Sequence, residues 1–317
     1  MTPAAWSILS DRFEARRIGR AMSVYNMGPY IGSGLALLLG GVVLRAAETW
    51  DLQGVPLLGG MAPWQLTFVV VGTAGLGCAF LLLLIAEPSR KGSAAAAPLP
   101  LGKTVRTLWK TRRFYGFFYL GMALAIVPIY GFPAWLPSVA TRGFGVPIAT
   151  VGMHYGTVSL IGGVAGVLLG PNVTALLSTR DAALRLGVIT NLLVLACCGL
   201  LLAHPSYPAL IAIAGAASFF YSMPTSMAAA ALQVVTPNRM RGLATSIYIV
   251  SVTIMGLAVA PVAVAFCTDR IFRDEARVGD SLALVCGIAA LGAAVALIAA
   301  MKAYRDLLDA SLDQELS

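Results

Sequence analysis

Eight apolar runs, each of about 20 residues or more, restrict this chain to very few folds. They cover roughly residues 18–45, 63–87, 114–141, 147–178, 182–204, 206–236, 240–268 and 280–303. A run of this length can cross the hydrocarbon core of a bilayer as an α-helix. Only 11% of the 317 residues are charged, whereas a soluble domain typically carries about 25%, so most of the surface must face lipid. We therefore predict an all-α integral membrane protein with eight full transmembrane helices.

The distribution of lysine and arginine predicts the orientation of these helices. All 22 lie in predicted loops, tails or helix ends, and 17 of them fall on one side of the membrane if the loops alternate. The positive-inside rule places that side, and with it the C-terminus, in the cytoplasm. The net charge of +8 could suggest nucleic acid, but the basic residues sit in short loops and form no basic face. We expect a multi-pass protein of the bacterial cytoplasmic membrane, in contact with lipid and not with nucleic acid.

Two features divide the chain into domains. Residues 88–112 combine an alanine- and proline-rich stretch with seven basic residues, which is typical of a linker. The apolar segment 3–13 covers only about half the hydrocarbon thickness and reads as the end of a helix. We predict a remnant of an N-terminal helical bundle over 1–88, a cytoplasmic linker over 89–112, and a six-helix bundle with a short cytoplasmic tail over 113–317.

A short phrase occurs twice, 223 residues apart, as Arg16–Tyr25 and Arg239–Tyr248. Each copy is predicted to be a basic, glycine-containing turn followed by a long apolar helix, and internal repeats of this kind are typical of secondary transporters. The offset predicts that a complete first half would begin about 110 residues before Met1, so that the chain holds a helix stub and eight of twelve helices. The candidate cytoplasmic gating turns are Arg17, Gly19, Arg20, Arg239, Arg241 and Gly242.

Several stretches carry a family pattern: Pro3–Phe13 leading to Gly19-Arg20-Ala21; Pro63–Phe68 followed by an apolar run and Glu87-Pro88; Tyr130–Pro137; Pro237–Tyr248; and Gly279–Leu282. Together they resemble the major facilitator superfamily and, within it, the spinster-type branch, with the stub and the eight runs corresponding to the end of helix four and to helices five to twelve. One turn departs from the family pattern, because Arg180-Asp181 reverses the expected acidic-basic order.

The resemblance implies two six-helix bundles around a central cavity and transport by alternating access. The expected function is secondary active transport of a small organic or amphiphilic solute, lysolipid-like in the family, with a proton as candidate coupling ion. The family's coupling acid lies on a helix that this chain lacks, so we expect the chain to be inactive alone. The alternative is a non-transporting remnant of a broken transporter gene.

Polar residues on three apolar runs are candidates for lining a cavity. Asn26 and Tyr30 lie on one polar stripe of the run 18–45, and an unpartnered amide in lipid would cost several kcal/mol. In the run 114–141 Pro128 and Pro133 are predicted to break the outer half of the helix, which is tolerated beside cavities. The candidates are Asn26, Tyr30, Tyr119, Tyr130, Tyr221, Ser222 and Gln233. Hydroxyl-bearing and small residues also mediate helix packing, which is the alternative role for this set.

His154 is the one histidine or charged side chain predicted to lie well inside a span. Histidine suits a proton relay because it titrates nearest to physiological pH. The alternative is a neutral imidazole bonded to a neighbouring helix near the outer interface. Isolated histidines without acidic partners in the spans argue against a membrane-embedded enzyme and against a metal site. We expect no enzymatic activity, no cofactor and a monomer.

Overall fold

Long helices make up nearly all of the part of the chain that the structure describes. The computed structural model describes Trp6, Leu9 and residues 12–13, 15–47, 49, 60–82 and 111–316. Its α-helices are α1 (Ala15–Ala47), α2 (Pro63–Leu82), α3 (Arg112–Phe144), α4 (Ile148–Leu177), α5 (Ala182–Leu202), α6 (Tyr207–Val235), α7 (Asn238–Thr253), α8 (Ala260–Phe266) and α9 (Val278–Leu316). The described residues contain no strand, so the predicted all-α class is confirmed.

One span is built from two α-helices and two π-helical segments. The first π-helical segment, Ile254–Val259, joins α7 to α8, and the second, Cys267–Phe272, follows α8. The polypeptide from Met240 to Phe272 thereby forms one continuous apolar span. A π-helical turn holds more residues than an α-helical turn, so these segments shift the side chains that follow them around the helix axis.

Seven spans among the described residues are long and apolar enough to cross a membrane. They begin and end within a few residues of seven predicted runs, and the last helix continues beyond residue 303 to Leu316. The remaining run, 63–87, contains α2, and residues 83–87 lie outside the described residues. Most of the stub 3–13 and the linker 89–112, apart from its last two residues, also lie outside them.

The structure corrects two sequence predictions about helix boundaries. The outer half of α3 is not broken: the helix runs without interruption through Pro128, Pro133 and Pro137. In an apolar span the neighbouring backbone hydrogen bonds and packed helices hold a proline-containing segment helical. The repeated phrase is not a turn that precedes a helix, because α1 already begins at Ala15 and α7 at Asn238. Both copies are first turns of their helices.

Packing organises the helices around two groups. α4 lies between α1 and α6, with which it makes its most extensive contacts, while α9 packs against α3 and α5. α2 contacts α1. The predicted N-terminal remnant therefore meets the second half mainly where α1 packs against α4 and α6.

Glycines bring α1 and α4 into backbone contact. A Cβ built at Gly156 would lie 2.6 Å from the backbone nitrogen of Leu38, and one at Gly41 would lie 2.5 Å from the carbonyl oxygen of Ala149. A second set of glycines on α4 makes the same kind of contact with α6, since a Cβ at Gly162 would lie 2.6 Å from the carbonyl oxygen of Gly215. Small residues allow helices to approach closely in lipid, where dispersion and weak polar contacts drive association.

Candidate functional site

Tyr30, at the middle of α1, lies within electrostatic range of tyrosines from three other helices. The Tyr30 hydroxyl lies beside that of Thr225 on α6 and close enough to Tyr130, Tyr221 and Tyr248 to interact electrostatically with them. These three tyrosines come from α3, α6 and α7 respectively. We call Tyr30, Tyr130, Tyr221 and Tyr248 the tyrosine cluster. It brings together the polar stripe of the first half and polar residues of the second.

Glycines fix the rings of two tyrosines in this cluster. A Cβ at Gly163 of α4 would lie 2.8 Å from Cδ1 of Tyr30. A Cβ at Gly256, in the first π-helical segment, would lie 2.5 Å from Cδ2 of Tyr130. Each ring therefore lies directly on a helix backbone, and a larger residue at either glycine would displace it.

Asn26 lies one turn before Tyr30 on the same face of α1 and is half-buried. Its amide Nδ2 is buried and has no hydrogen-bond partner among the described residues. A buried amide left without a partner costs about 1–3 kcal/mol. One turn further back, Ser23 is satisfied because its hydroxyl donates to Ser226 of α6 at 3.1 Å. The amide donor of Asn26 is thus the unsatisfied polar group of this stripe among the described residues.

The other predicted cavity residues make specific contacts between helices. The Tyr119 hydroxyl donates to the carbonyl oxygen of Ala244 at 2.9 Å, which joins α3 to α7. Gln233 is buried, and its Nε2 donates to Thr245 at 2.9 Å, which joins α6 to α7. Ser222 is fully buried against α4 and donates to a backbone carbonyl of its own helix. These three contacts are typical of helix packing.

Tyr221 belongs to a second polar contact inside the second half. Its hydroxyl lies 3.0 Å from that of Ser218, and both residues are buried. The hydroxyl of Tyr155 on α4 is buried nearby and interacts electrostatically with Tyr221. Tyr221 therefore connects the tyrosine cluster to a buried hydroxyl group at the α4–α6 interface.

His154 lies near the N-terminal end of α4 and is not in the tyrosine cluster. Its Nδ1 lies 2.9 Å from the hydroxyl of Tyr207, the first residue of α6, and the histidine is exposed. The Tyr207 ring also contacts Phe144 at a centroid distance of 5.8 Å. This geometry matches the alternative role, an imidazole bonded to a neighbouring helix near the interface.

The predicted gating residues lie at the N-terminal ends of α1 and α7. A Cβ at Gly19 would lie 2.6 Å from Cε of Met227, whereas one at Gly242 would meet no atom within 4 Å. The Arg241 Nε donates to the carbonyl oxygen of Thr236 at 3.0 Å. Arg17 and Arg20 are exposed beside a cavity, and the Arg239 side chain lies outside the described residues.

Two buried carboxylates at helix ends were not found from the sequence. Asp181 is 2% exposed, receives a hydrogen bond from Arg185 at 2.8 Å and lies 3.9 Å from Arg305. At the opposite end Asp280 is 4% exposed and pairs with Arg277 at 2.8 Å. Hydropathy places both in loops or at helix ends, which is correct, but it carries no information about their burial.

A family profile described as the Major Facilitator Superfamily matches residues 1–261. The chain belongs to this superfamily. Superfamily membership together with seven apolar spans identifies a multi-pass membrane transporter rather than an enzyme. The chain is 24% identical over 316 residues to an MFS-type efflux pump of Mycolicibacterium smegmatis, an alignment that covers 97% of this chain and 69% of that protein.

Solved structures support the major facilitator fold. The chain is similar to a bacterial homologue of the human lysosomal transporter Spinster, described as inward-facing in an unoccupied and in an occupied conformation. The TM-scores are 0.55 and 0.56 at 18% identity, with 98% of this chain and 74% and 73% of those chains covered. The fold of the chain is therefore similar to that of a Spinster homologue, in line with the resemblance found in the sequence.

Proposed function

We propose that this chain carries the fold and solute pathway of a secondary active transporter which moves a small organic or amphiphilic solute by alternating access. The expectation from the sequence that the chain is inactive alone is the competing hypothesis, and the transport assay below decides between the two. The observation that carries the proposal is the tyrosine cluster beside the unpaired amide of Asn26, within the membrane span. Lone polar groups are costly in an apolar interior, and a group of them on several helices is typical of a solute pathway.

The chemistry of the cluster supports a solute recognised mainly by hydrogen bonds and apolar contact. Hydroxyl groups both donate and accept, and tyrosine rings add a large apolar surface. The charged residues of the described spans lie outside the central part of each apolar stretch. The efflux activity named for the mycobacterial relative supports export as the direction to test first.

Transport requires the two halves to move against each other, and α1 supplies the contact between them. Along its outer half α1 packs on α4 through glycines, and along its inner half it meets α6 through Ser23 and Gly19. We propose that the bundles defined as 1–88 and 113–317 rock about this contact. A proton is the proposed coupling ion.

Transport by the purified chain in liposomes tests the proposal. A fluorescent lysophosphatidylcholine and ethidium serve as amphiphilic and small organic probes, each with and without a pH gradient. Tyr30→Phe removes one hydroxyl, and this change is expected to slow transport of an accepted probe about tenfold, the equivalent of one hydrogen bond. Tyr25→Phe is the matched control, because Tyr25 lies on the same helix but is 36% exposed.

The two variants distinguish the possible results. Slower transport in Tyr30→Phe with an unchanged rate in Tyr25→Phe supports the assigned pathway. Equal rates in both variants contradict a role for the cluster. Probe movement no faster than in protein-free liposomes, under either gradient, contradicts active transport by the chain and favours the non-transporting remnant.

A further inference from the structure

A cavity lies away from the tyrosine cluster, at the end of the bundle that the charge bias places in the cytoplasm. Its volume is about 830 Å³. It is bounded by the first turn of α1, the last turns of α4 and α6, the start of α5, and Tyr304 of α9. It therefore opens at the level where the helices leave the inner leaflet.

The charged residues that line this cavity are all basic. Arg17 and Arg20 approach from α1 and Arg180 from the α4–α5 connection, and no carboxylate lines the cavity among the described residues. Arg17 and Arg20 are three residues apart, so they share a face of the helix. Neither makes an ion pair with a described residue, whereas Arg180 pairs with Asp309. The cavity thus holds two guanidinium groups without counter-charges in the described chain.

Backbone and hydroxyl groups that line the cavity add to its preference for an anionic ligand. Thr179 and the first residues of α5, Ala182 and Ala183, line the same cavity. α5 is 21 residues long, and the side chain of its N-cap, Asp181, does not cap the helix. The N–H of Ala182 donates to the carbonyl oxygen of Thr179 at 3.1 Å, so the contribution of this helix N-terminus is its partial positive charge, which favours anions.

The remaining wall of the cavity is mostly apolar. Ile18 beside the arginines, and Pro171, Met227, Ala230 and Val234 from α4 and α6, supply apolar lining, to which Thr174 and Ser178 add hydroxyl groups. A cavity with a basic rim and an apolar wall fits a molecule that carries an anionic group on a hydrocarbon body. Arginine is well suited to that group, because its planar donors match the oxygens of a phosphate in a bidentate fashion.

We propose that this cavity binds a phosphate group through Arg17 and Arg20, carried either by an anionic lipid of the inner leaflet or by a soluble organic phosphate. The site lies at the helix ends and not at the tyrosine cluster, so it is separate from the proposed solute pathway. Its readout is binding, which makes the test independent of whether the chain transports.

Ligand-induced stabilisation of the detergent-purified chain measures this binding. The probes are dioctanoyl phosphatidylglycerol, glycerol 3-phosphate and dioctanoyl phosphatidylcholine, titrated at low salt while the unfolding temperature is followed. The test variant is Arg17→Gln with Arg20→Gln. The matched control is Arg270→Gln with Arg273→Gln, because these two arginines have the same spacing but line a cavity with Asp269, Asp274 and Glu275.

The expected result is stabilisation by phosphatidylglycerol that exceeds that by phosphatidylcholine. The Kd is expected to rise at least tenfold in the test variant and to stay unchanged in the control, since removing one charge-assisted hydrogen bond weakens binding about tenfold. If glycerol 3-phosphate raises the unfolding temperature as much as phosphatidylglycerol does, the site is assigned to a soluble phosphate. If only phosphatidylglycerol raises it, the site is assigned to a lipid headgroup. No stabilisation by either phosphate, equal effects of the two lipids, or equal weakening in both double variants overturns the proposal.

Discussion

Replacement of Gly156 by alanine is expected to destabilise the fold, although alanine is the better helix former. The added Cβ would lie 2.6 Å from the backbone nitrogen of Leu38, 2.9 Å from its Cα and 3.1 Å from the carbonyl oxygen of Gly34. Ordinary contacts of a Cβ begin at 3.4 Å. All three neighbouring atoms belong to the backbone of α1, so a rotamer change cannot relieve the clash.

The cost follows from how far the helices must separate. Restoring ordinary contact requires α1 and α4 to move apart by roughly 0.8 Å, and a gap of that size forfeits a quarter to a half of each dispersion contact. Overpacking of this kind costs about 1–3 kcal/mol. At an unobstructed helical glycine the same substitution stabilises by about 0.5–1 kcal/mol, because alanine loses less conformational entropy.

Gly199 on α5 supplies the control, since no atom lies within 4 Å of a Cβ built there. Thermal unfolding can be followed with a thiol-reactive fluorogenic dye, because Cys197, Cys198, Cys267 and Cys286 are buried and free. The two variants should differ by about 1.5–4 kcal/mol, so Gly156→Ala is expected to unfold roughly 3–16 °C below Gly199→Ala, at the roughly 2–4 °C per kcal/mol typical of large domains. Equal unfolding temperatures for the two variants would refute the close α1–α4 contact.

Three further predictions concern single contacts. Asp181→Asn is expected to lower the free energy of unfolding by about 1–3 kcal/mol, because Arg185 and Arg305 lose a buried charge partner. Asp309→Asn breaks an exposed pair and should change that free energy by less than about 1 kcal/mol in the same unfolding assay. Trp135→Phe removes the hydrogen bond from Nε1 to a backbone carbonyl of α8 and should cost about 1 kcal/mol in the unfolding assay. His154→Gln should leave the pH profile of transport unchanged, because the imidazole is bonded to Tyr207 near the N-terminal end of α4. A shifted pH profile would instead support a role for His154 as a proton relay.

Helix positions were predictable because the bilayer imposes one requirement on every span. Apolar length alone locates α4 and α5 to within two residues at each end. The extension of α9 to Leu316 was not predicted, since its last turns are polar and carry no hydropathy signal. The π-helical segments were also not predicted, because a small change in backbone winding leaves the composition of a span unaltered.

The candidate site was predictable in part. The polar stripe with Asn26 and Tyr30 was visible as a periodicity of α1, and the structure sets Tyr30 beside Tyr130 and Tyr221, although the role of this set stays a proposal. The side-chain partner of Gln233 could not be predicted, because it depends on the rotation of α6 against α7. Periodicity gives the face of one helix, whereas a partner requires the relative rotation of two.

The two opposed sets of glycines on α4 have a mechanical consequence. One set touches the backbone of α1 and the other that of α6, so that α4 separates its neighbours with hardly any side chain between them. Side chains absorb small movements by changing rotamer, and glycine has none to change. Close-packed interiors have low compressibility. A sub-ångström push from α1 is therefore passed on through α4 to α6, and α4 behaves as a stiff element of the second half against which α1 bears.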